Sequence, residues 1–237
     1  LKGKGTETFE CRFAYMGFQF VRVTADPGVT VERVEAVPVH TDVAEAGRFV
    51  CSNDVVNRLQ DISRASLLNN FHSIPTDCPQ RDERLGWLGD RATGAYGEAF
   101  IFNNAQLYNK WLQDIEDSMS PEGSISDVSP NYWTIYADDV TWPSAFFYVA
   151  DMLYRQFGDD SAIRAHYPAM KRWMAHMEEA TMKDYIMTKD QYGDWCMPPE
   201  SQELIHSKDP SRKTDGAILS TTVYYLSLIH ISEPTRR

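Results

Sequence analysis

Hydrophobic and polar positions follow two different periods along this chain, and the change falls near residue 50. Before it, apolar residues alternate with polar ones or cluster in short runs. Residues 8–15 partly alternate, 18–23 are rich in aromatic and β-branched side chains, and 29–37 alternate almost strictly. A period of two puts one set of side chains on one face of a strand. Gly17 and Asp26-Pro27-Gly28 supply turns between these runs. The pattern predicts residues 1–50 to be the last strands of an antiparallel β-sandwich domain.

From residue 52 the spacing becomes helical. Ser52 or Asn53 can cap a helix carrying Val55, Val56, Leu59, Ile62, Ala65 and Leu68. A charged loop follows, opened by Ile74-Pro75. Helical texture returns from Ala92 to Phe102 and again from Ala105 to Met119, with Leu107, Trp111, Leu112 and Ile115 on one side. Residues 120–138 read as a Gly/Pro/Ser-rich loop containing Tyr132-Trp133. Helices are expected near 142–157, ending at Phe157-Gly158, and near 160–180. Asp184-Tyr185-Ile186-Met187 leads into a further loop running to about Thr214, and a last helix starts near Gly216. Helices joined by long polar-aromatic loops suggest a toroid of paired helices, in which loops at one end build a pocket. The fold class is therefore mainly α, with helices paired around an axis behind the strands.

Composition narrows the function. The chain has 237 residues and a formal net charge of −11, which argues against a nucleic-acid partner. No apolar run reaches the length of a membrane span. The four cysteines, Cys11, Cys51, Cys78 and Cys196, lack CxxC spacing and are expected as free or buried thiols. The six histidines lack metal-ligand spacing. No metal and no cofactor are expected.

Chemistry concentrates in Asp77-Cys78-Pro79-Gln80-Arg81-Asp82-Glu83-Arg84-Leu85-Gly86-Trp87-Leu88-Gly89-Asp90. Four carboxylates and two arginines surround a tryptophan between two glycines. Unpaired charges are costly to bury, so this is poor core material. Carboxylates that hold hydroxyls beside a ring that stacks on a sugar suit a polar cleft. The plainer alternative is a salt-bridged connector between helices, with the aspartates paired to Arg81 or Arg84, or with Asp90 as a helix cap. Trp87 and Trp195 could equally pack inward. Tyr132, Trp133 and Trp142, beside Asp138-Asp139, are weaker candidates for substrate contact.

Residues 75–90 resemble the signature of bacterial α-L-rhamnosidases of glycoside hydrolase family 78. Residues 13–21, Gly47-Arg48-Phe49-Val50-Cys51-Ser52-Asn53, residues 153–159 and Gly193-Asp194-Trp195 resemble flanking segments of that family. The resemblance implies an (α/α)6 barrel behind β-sandwich domains and inverting hydrolysis of terminal α-L-rhamnosyl groups, with a rhamnose-containing glycoside or polysaccharide as substrate. It implies Glu83 as the general acid, with adjacent Asp82 as the alternative. It implies Asp77 and Asp90 as hydroxyl-binding carboxylates assisted by Arg81, and Trp87 and Trp195 as pocket aromatics. A catalytic acid that stays protonated near neutral pH needs burial and neighbouring negative charge, for which Asp77, Asp82 and Asp90 are candidate sources.

An inverting enzyme also needs a carboxylate base about 6.5–9.5 Å from the acid. The family places it far downstream of the signature, and Glu200 and Glu203 come too early. Residues 226–236 resemble the translation of a sequencing adapter. The chain is therefore expected to be an internal fragment: residues 1–50 the end of a β-sandwich domain, 51–225 the first half of a barrel, and 226–237 non-native. Such a piece is expected to be inactive alone. Rival readings are another α/α-toroid enzyme, such as a lyase or a different exo-glycosidase, and a non-catalytic carbohydrate binder. A lyase would want a proton-abstracting Tyr/His or Arg/Lys set beside a uronate, which a carboxylate-rich loop would repel. A binder would have no use for Glu83.

Overall fold

Asn53 opens the helical part of the molecule. Its side-chain oxygen accepts from the Val55 amide at 2.9 Å and the Val56 amide at 3.4 Å, satisfying two donors that the first turn leaves unpaired. In the computed structural model, which describes residues 3, 5–192 and 216–232, helix α1 runs over Asp54–Leu68. Two short helices follow, α2 (Leu88–Ala92) and α3 (Ala95–Ala99), then α4 (Ala105–Asp117), α5 (Ala145–Phe157), α6 (Ser161–Thr181) and α7 (Gly216–Ser232). Strand β1 (Ala44–Glu45) pairs antiparallel with β2 (Phe102–Asn103). Strand β3 (Met182–Lys183) pairs with β4 (Ile186–Met187) through Asp184 and Tyr185, both at positive φ, as a tight two-residue turn requires.

Helix α5 is the centre. Phe146, Phe147, Val149, Ala150, Met152 and Leu153 are all buried, and α2, α3, α4, α6 and α7 pack around it. Trp111 and Ile115 of α4 and Trp173 and Met177 of α6 complete the core. Burying a large apolar side chain contributes roughly 1.5–3 kcal/mol, so this cluster holds the hairpins together. Gly158 stops α5 in a left-handed cap at φ +69°, its N–H donating to the Tyr154 carbonyl.

Three expectations change. The strands expected over residues 8–37 do not form: this stretch carries no regular secondary structure, and Phe9, Phe13, Phe20 and Val37 are exposed. A strand needs a neighbour to take its N–H and C=O groups, and among the described residues none lies alongside. Helix α1 has its predicted period, but Val55, Leu59 and Ile62 face outward and no residue of it is buried. Only its end packs, where Leu67 and Leu68 meet Phe71, Phe102 and Leu107. The helix expected from Ala92 to Phe102 is two, because the chain breaks at Thr93-Gly94, and α2 begins earlier, at Leu88 inside the charged stretch. Leu88 is fully buried, and core packing pulls that segment into a helical turn.

Candidate active site

The charged stretch hangs from a buried polar brace. Arg91 of α2 donates to the Thr76 carbonyl at 2.7 Å and to Glu98 of α3 at 2.8 Å. Tyr108 of α4 donates to the other oxygen of Glu98 at 2.5 Å. The residue before Asp77 is thus tied to three helices. A clasp follows: the Asp77 N–H donates to the Leu85 carbonyl at 2.9 Å, and the Leu85 N–H donates back to Asp77 Oδ1 at 2.9 Å. Residues 78–84 project between these bonds.

The projection brings Glu83 back over Asp77. Carboxylate oxygens of Asp77 and Glu83 and the Cys78 sulfur lie within 4.8 Å of one another. Each is already engaged. The Cys78 thiol donates to Asp77 Oδ2 at 3.1 Å, and Arg81 donates to Glu83 at 3.0 Å. Glu83 is about three-quarters buried at its side chain, whereas Arg81 is mostly in solvent and Asp82 is exposed. Arg84 points away: it takes a left-handed φ of +42°, donates to the Tyr15 carbonyl at 2.6 Å and lies over the Tyr15 ring at 4.8 Å. The connector reading had the aspartates paired to the arginines. Here Arg81 pairs with Glu83, and Arg84 with Tyr15.

Asp90 sits in the first turn of α2, but Trp87 occupies the cap position. Although residue 90 keeps contact with solvent, its carboxyl is pushed up by the surrounding protein, and next by the negative charge of Asp77.

The glycines flanking Trp87 are explained by close approach. A Cβ at Gly86 would fall 2.2 Å from the Ser129 carbonyl oxygen, and one at Gly89 would fall 2.2 Å from the Trp142 indole. Trp87 is half-buried between them and bridges antiparallel to Val128. Its ring meets Trp133 edge-on at 6.1 Å and Tyr192 edge-on at 6.4 Å, while Trp142 and Tyr192 stack at 4.3 Å. Trp133 and Trp142 therefore belong to an aromatic wall, while Tyr132 projects into solvent. Trp195, Glu200, Glu203 and Cys196 lie outside the described residues. Cys11, Cys51 and Cys78 are free thiols.

Behind the wall lie carboxylates that the sequence did not single out as site residues. Asp127 and Asp139 are fully buried. Asp127 accepts from the Tyr192 hydroxyl at 3.2 Å, and Asp139 accepts from the Gln191 N–H. Burial, and then the charge of Asp139, push Asp127 up to about 7. Burial pushes Asp139 up to about 6. Neighbouring Asp138 goes the other way. Burial raises it, but bonds from His176 and Ser124, both at 2.8 Å, outweigh that and hold it below the usual carboxylate range. Asp138-Asp139 drew notice only beside the tryptophans. Nothing in the sequence marked Asp127 or Tyr192. A groove of about 420 Å³ between residues 45–50 and α1 includes none of these side chains.

Hydrogen-bonded carboxylates thus stand near stacked indole and phenol rings on a scaffold of helices. The family described as the bacterial alpha-L-rhamnosidase 6 hairpin glycosidase domain matches residues 44–236, and the chain belongs to it. An α-L-rhamnosidase of Formosa agariphila is 29% identical over 246 residues, covering 98% of this chain and 25% of the relative. The solved α-L-rhamnosidase of Dictyoglumus thermophilum superposes with a TM-score of 0.77 at 39% identity, covering 87% of this chain and 22% of that one. The Streptomyces avermitilis α-L-rhamnosidase solved with L-rhamnose superposes at 0.72 and 27% identity, covering 81% of this chain and 17% of that one. The chain thus spans a quarter or less of the length of these relatives.

Proposed function

We propose that this chain carries the acid-bearing part of the active site of an inverting α-L-rhamnosidase, within an (α/α)6 barrel completed by residues beyond it. Glu83 is the general acid. It gives its proton to the glycosidic oxygen as the bond from that oxygen to the anomeric carbon breaks. A water, deprotonated by a base supplied from elsewhere in the longer protein, adds to the anomeric carbon from the opposite face. Asp77 and Asp90 hold sugar hydroxyls, Arg81 assists, and Trp87 and Trp195 offer ring faces to the sugar. Residues 1–50 are read as the end of a β-domain, and 226–237 as non-native.

One observation carries the assignment of the acid. Glu83, not Asp82, is the partly buried carboxylate that comes within 4.8 Å of Asp77 and the Cys78 sulfur. A general acid is chosen first by its position, and Glu83 is the one of the two acids held over the clasped loop beside Asp77. The test is Glu83→Gln in the longer enzyme, assayed on a rhamnoside with a poor leaving group. Turnover should collapse, while Asp82→Asn should remain active; retained turnover in Glu83→Gln overturns the assignment. The 237-residue chain alone should release no p-nitrophenol from p-nitrophenyl α-L-rhamnoside, and measurable release would overturn the placement of the base outside it.

A further inference from the structure

Asp127 is a buried carboxylate for which stability gives no account. Its backbone is locked against the signature: the Leu88 N–H donates to its carbonyl at 2.9 Å, and its own N–H donates to the Ile135 carbonyl at 2.9 Å. Its side chain is fully buried, yet among the described residues Oδ1 meets no hydrogen-bond partner. A buried carboxylate with an unsatisfied oxygen costs more than an apolar side chain of similar size at the same position. Its Oδ2 has one specific contact, the Tyr192 hydroxyl, 65 residues away in the chain.

That contact aims a ring. Burial and the charge of Asp127 push the Tyr192 phenol above its ordinary value, so it keeps its proton and donates. The adjacent Gln191 N–H is held by Asp139, and Thr141 donates to Asp190 at 3.2 Å. Segment 190–192 is thus fastened to residues 127–141, and the phenol end of Tyr192 is fixed by Asp127. The Tyr192 ring then stacks on Trp142, which lies flush against Gly89, and stands edge-on to Trp87.

We propose that Asp127 is a positioning residue of the sugar pocket: by accepting the Tyr192 hydroxyl it fixes the Tyr192–Trp142 stack, and so the aromatic wall beside Trp87. The inference rests on the sugar-site reading above, and its test separates the two. An aromatic wall discriminates sugars only if its rings keep one orientation, and a stacked pair alone leaves the phenol free to slide.

The experiment uses near-ultraviolet circular dichroism of the 237-residue chain, with Trp142→Phe defining the signal of the stacked indole. Tyr192→Phe and Asp127→Leu should each lose at least half of that signal with the far-ultraviolet spectrum unchanged. Asp127→Asn, which keeps an accepting oxygen, should retain it. The signal surviving in Tyr192→Phe, or lost equally in Asp127→Asn and Asp127→Leu, overturns the positioning role. Should Asp127→Leu fail to fold, Tyr192→Phe and Asp127→Asn decide, since both preserve core volume. In the longer enzyme, Tyr192→Phe should raise KM for an aryl rhamnoside about tenfold with kcat within about twofold, the size of one lost hydrogen bond and a loosened ring contact. An unchanged KM with the stack lost would instead remove the wall from the sugar pocket, leaving the hydrogen bond's role in the stack intact.

Discussion

The clasped loop at residues 77–85 and the wall at residues 127–142 both set carboxylates beside the same tryptophan, and they treat them in opposite ways. In the loop, Asp77 is bonded by a backbone amide and a thiol, and Glu83 by a guanidinium that reaches out to solvent. In the wall, Asp127 and Asp139 sink to full burial and each keeps an oxygen with no hydrogen-bond partner among the described residues. The loop can present Glu83 to a ligand, because its partner Arg81 lies mostly in water and can be exchanged. The wall cannot, because Asp127 and Asp139 are fully buried. The same residue type serves as reagent in one place and as fixture in the other, and access to solvent decides which.

The sharpest way to break that comparison is to neutralise one carboxylate in each region of the longer enzyme. Glu83→Gln should lower kcat on a poor leaving group by about 10²–10⁴, the range for a positioned general acid. Asp127→Asn should stay within a few-fold of the parent. Equal losses would mean that both regions act alike.

A second test shifts the boundary between them. Gly89→Ala drives a Cβ into the Trp142 indole and should cost about 1–3 kcal/mol in a denaturant titration of this chain. Gly97→Ala, inside α3 where a Cβ meets nothing within 4 Å, should instead stabilise by about 0.4–1 kcal/mol. A neutral Gly89→Ala would mean that the wall does not rest on the signature.

The third concerns pH. Asp127 and Asp139 hold protons in the folded state up to about 7 and about 6, above their unfolded range. Below about pH 4 both states are protonated and neither group matters. As pH rises from there, the unfolded chain ionises first, so stability falls by up to about 1.4 kcal/mol per unit for each group and levels off once the folded values are passed. Asp138, held low by His176 and Ser124, with Lys189 nearby, opposes this: its contribution is present above the unfolded value and lost on acidification. Asp190 faces the same cluster, and its charge adds to the cost of ionising Asp127 and Asp139, whereas the bond from the neutral Tyr192 hydroxyl eases that of Asp127. Asp127→Asn should flatten the fall between pH 4 and 7 in thermal melts, and an unchanged slope would contradict the burial of that charge. The smallest effect is expected at Arg81→Ala. Its guanidinium lies mostly in water, so the melting temperature should stay at that of the parent chain.

Local sequence carried much of this molecule. The helical period located α1, α4, α5, α6 and α7, Asn53 and Gly158 marked two ends, and residues 75–90 pointed to the family to which the chain belongs. These features depend on neighbours three or four residues apart, or on a long contiguous motif, so one segment read alone contains them. The tertiary structure decided the rest. Core packing of Leu88 broke one expected helix into two, and the absence of a neighbouring strand left residues 8–37 without the sheet their alternation predicted. It also paired Arg81 with Glu83, turned Arg84 onto Tyr15, and set Asp127 under Tyr192. Burial and hydrogen bonding between residues far apart in sequence depend on where the helices meet. No local pattern states that an aspartate in a loop will end up dry behind a tyrosine.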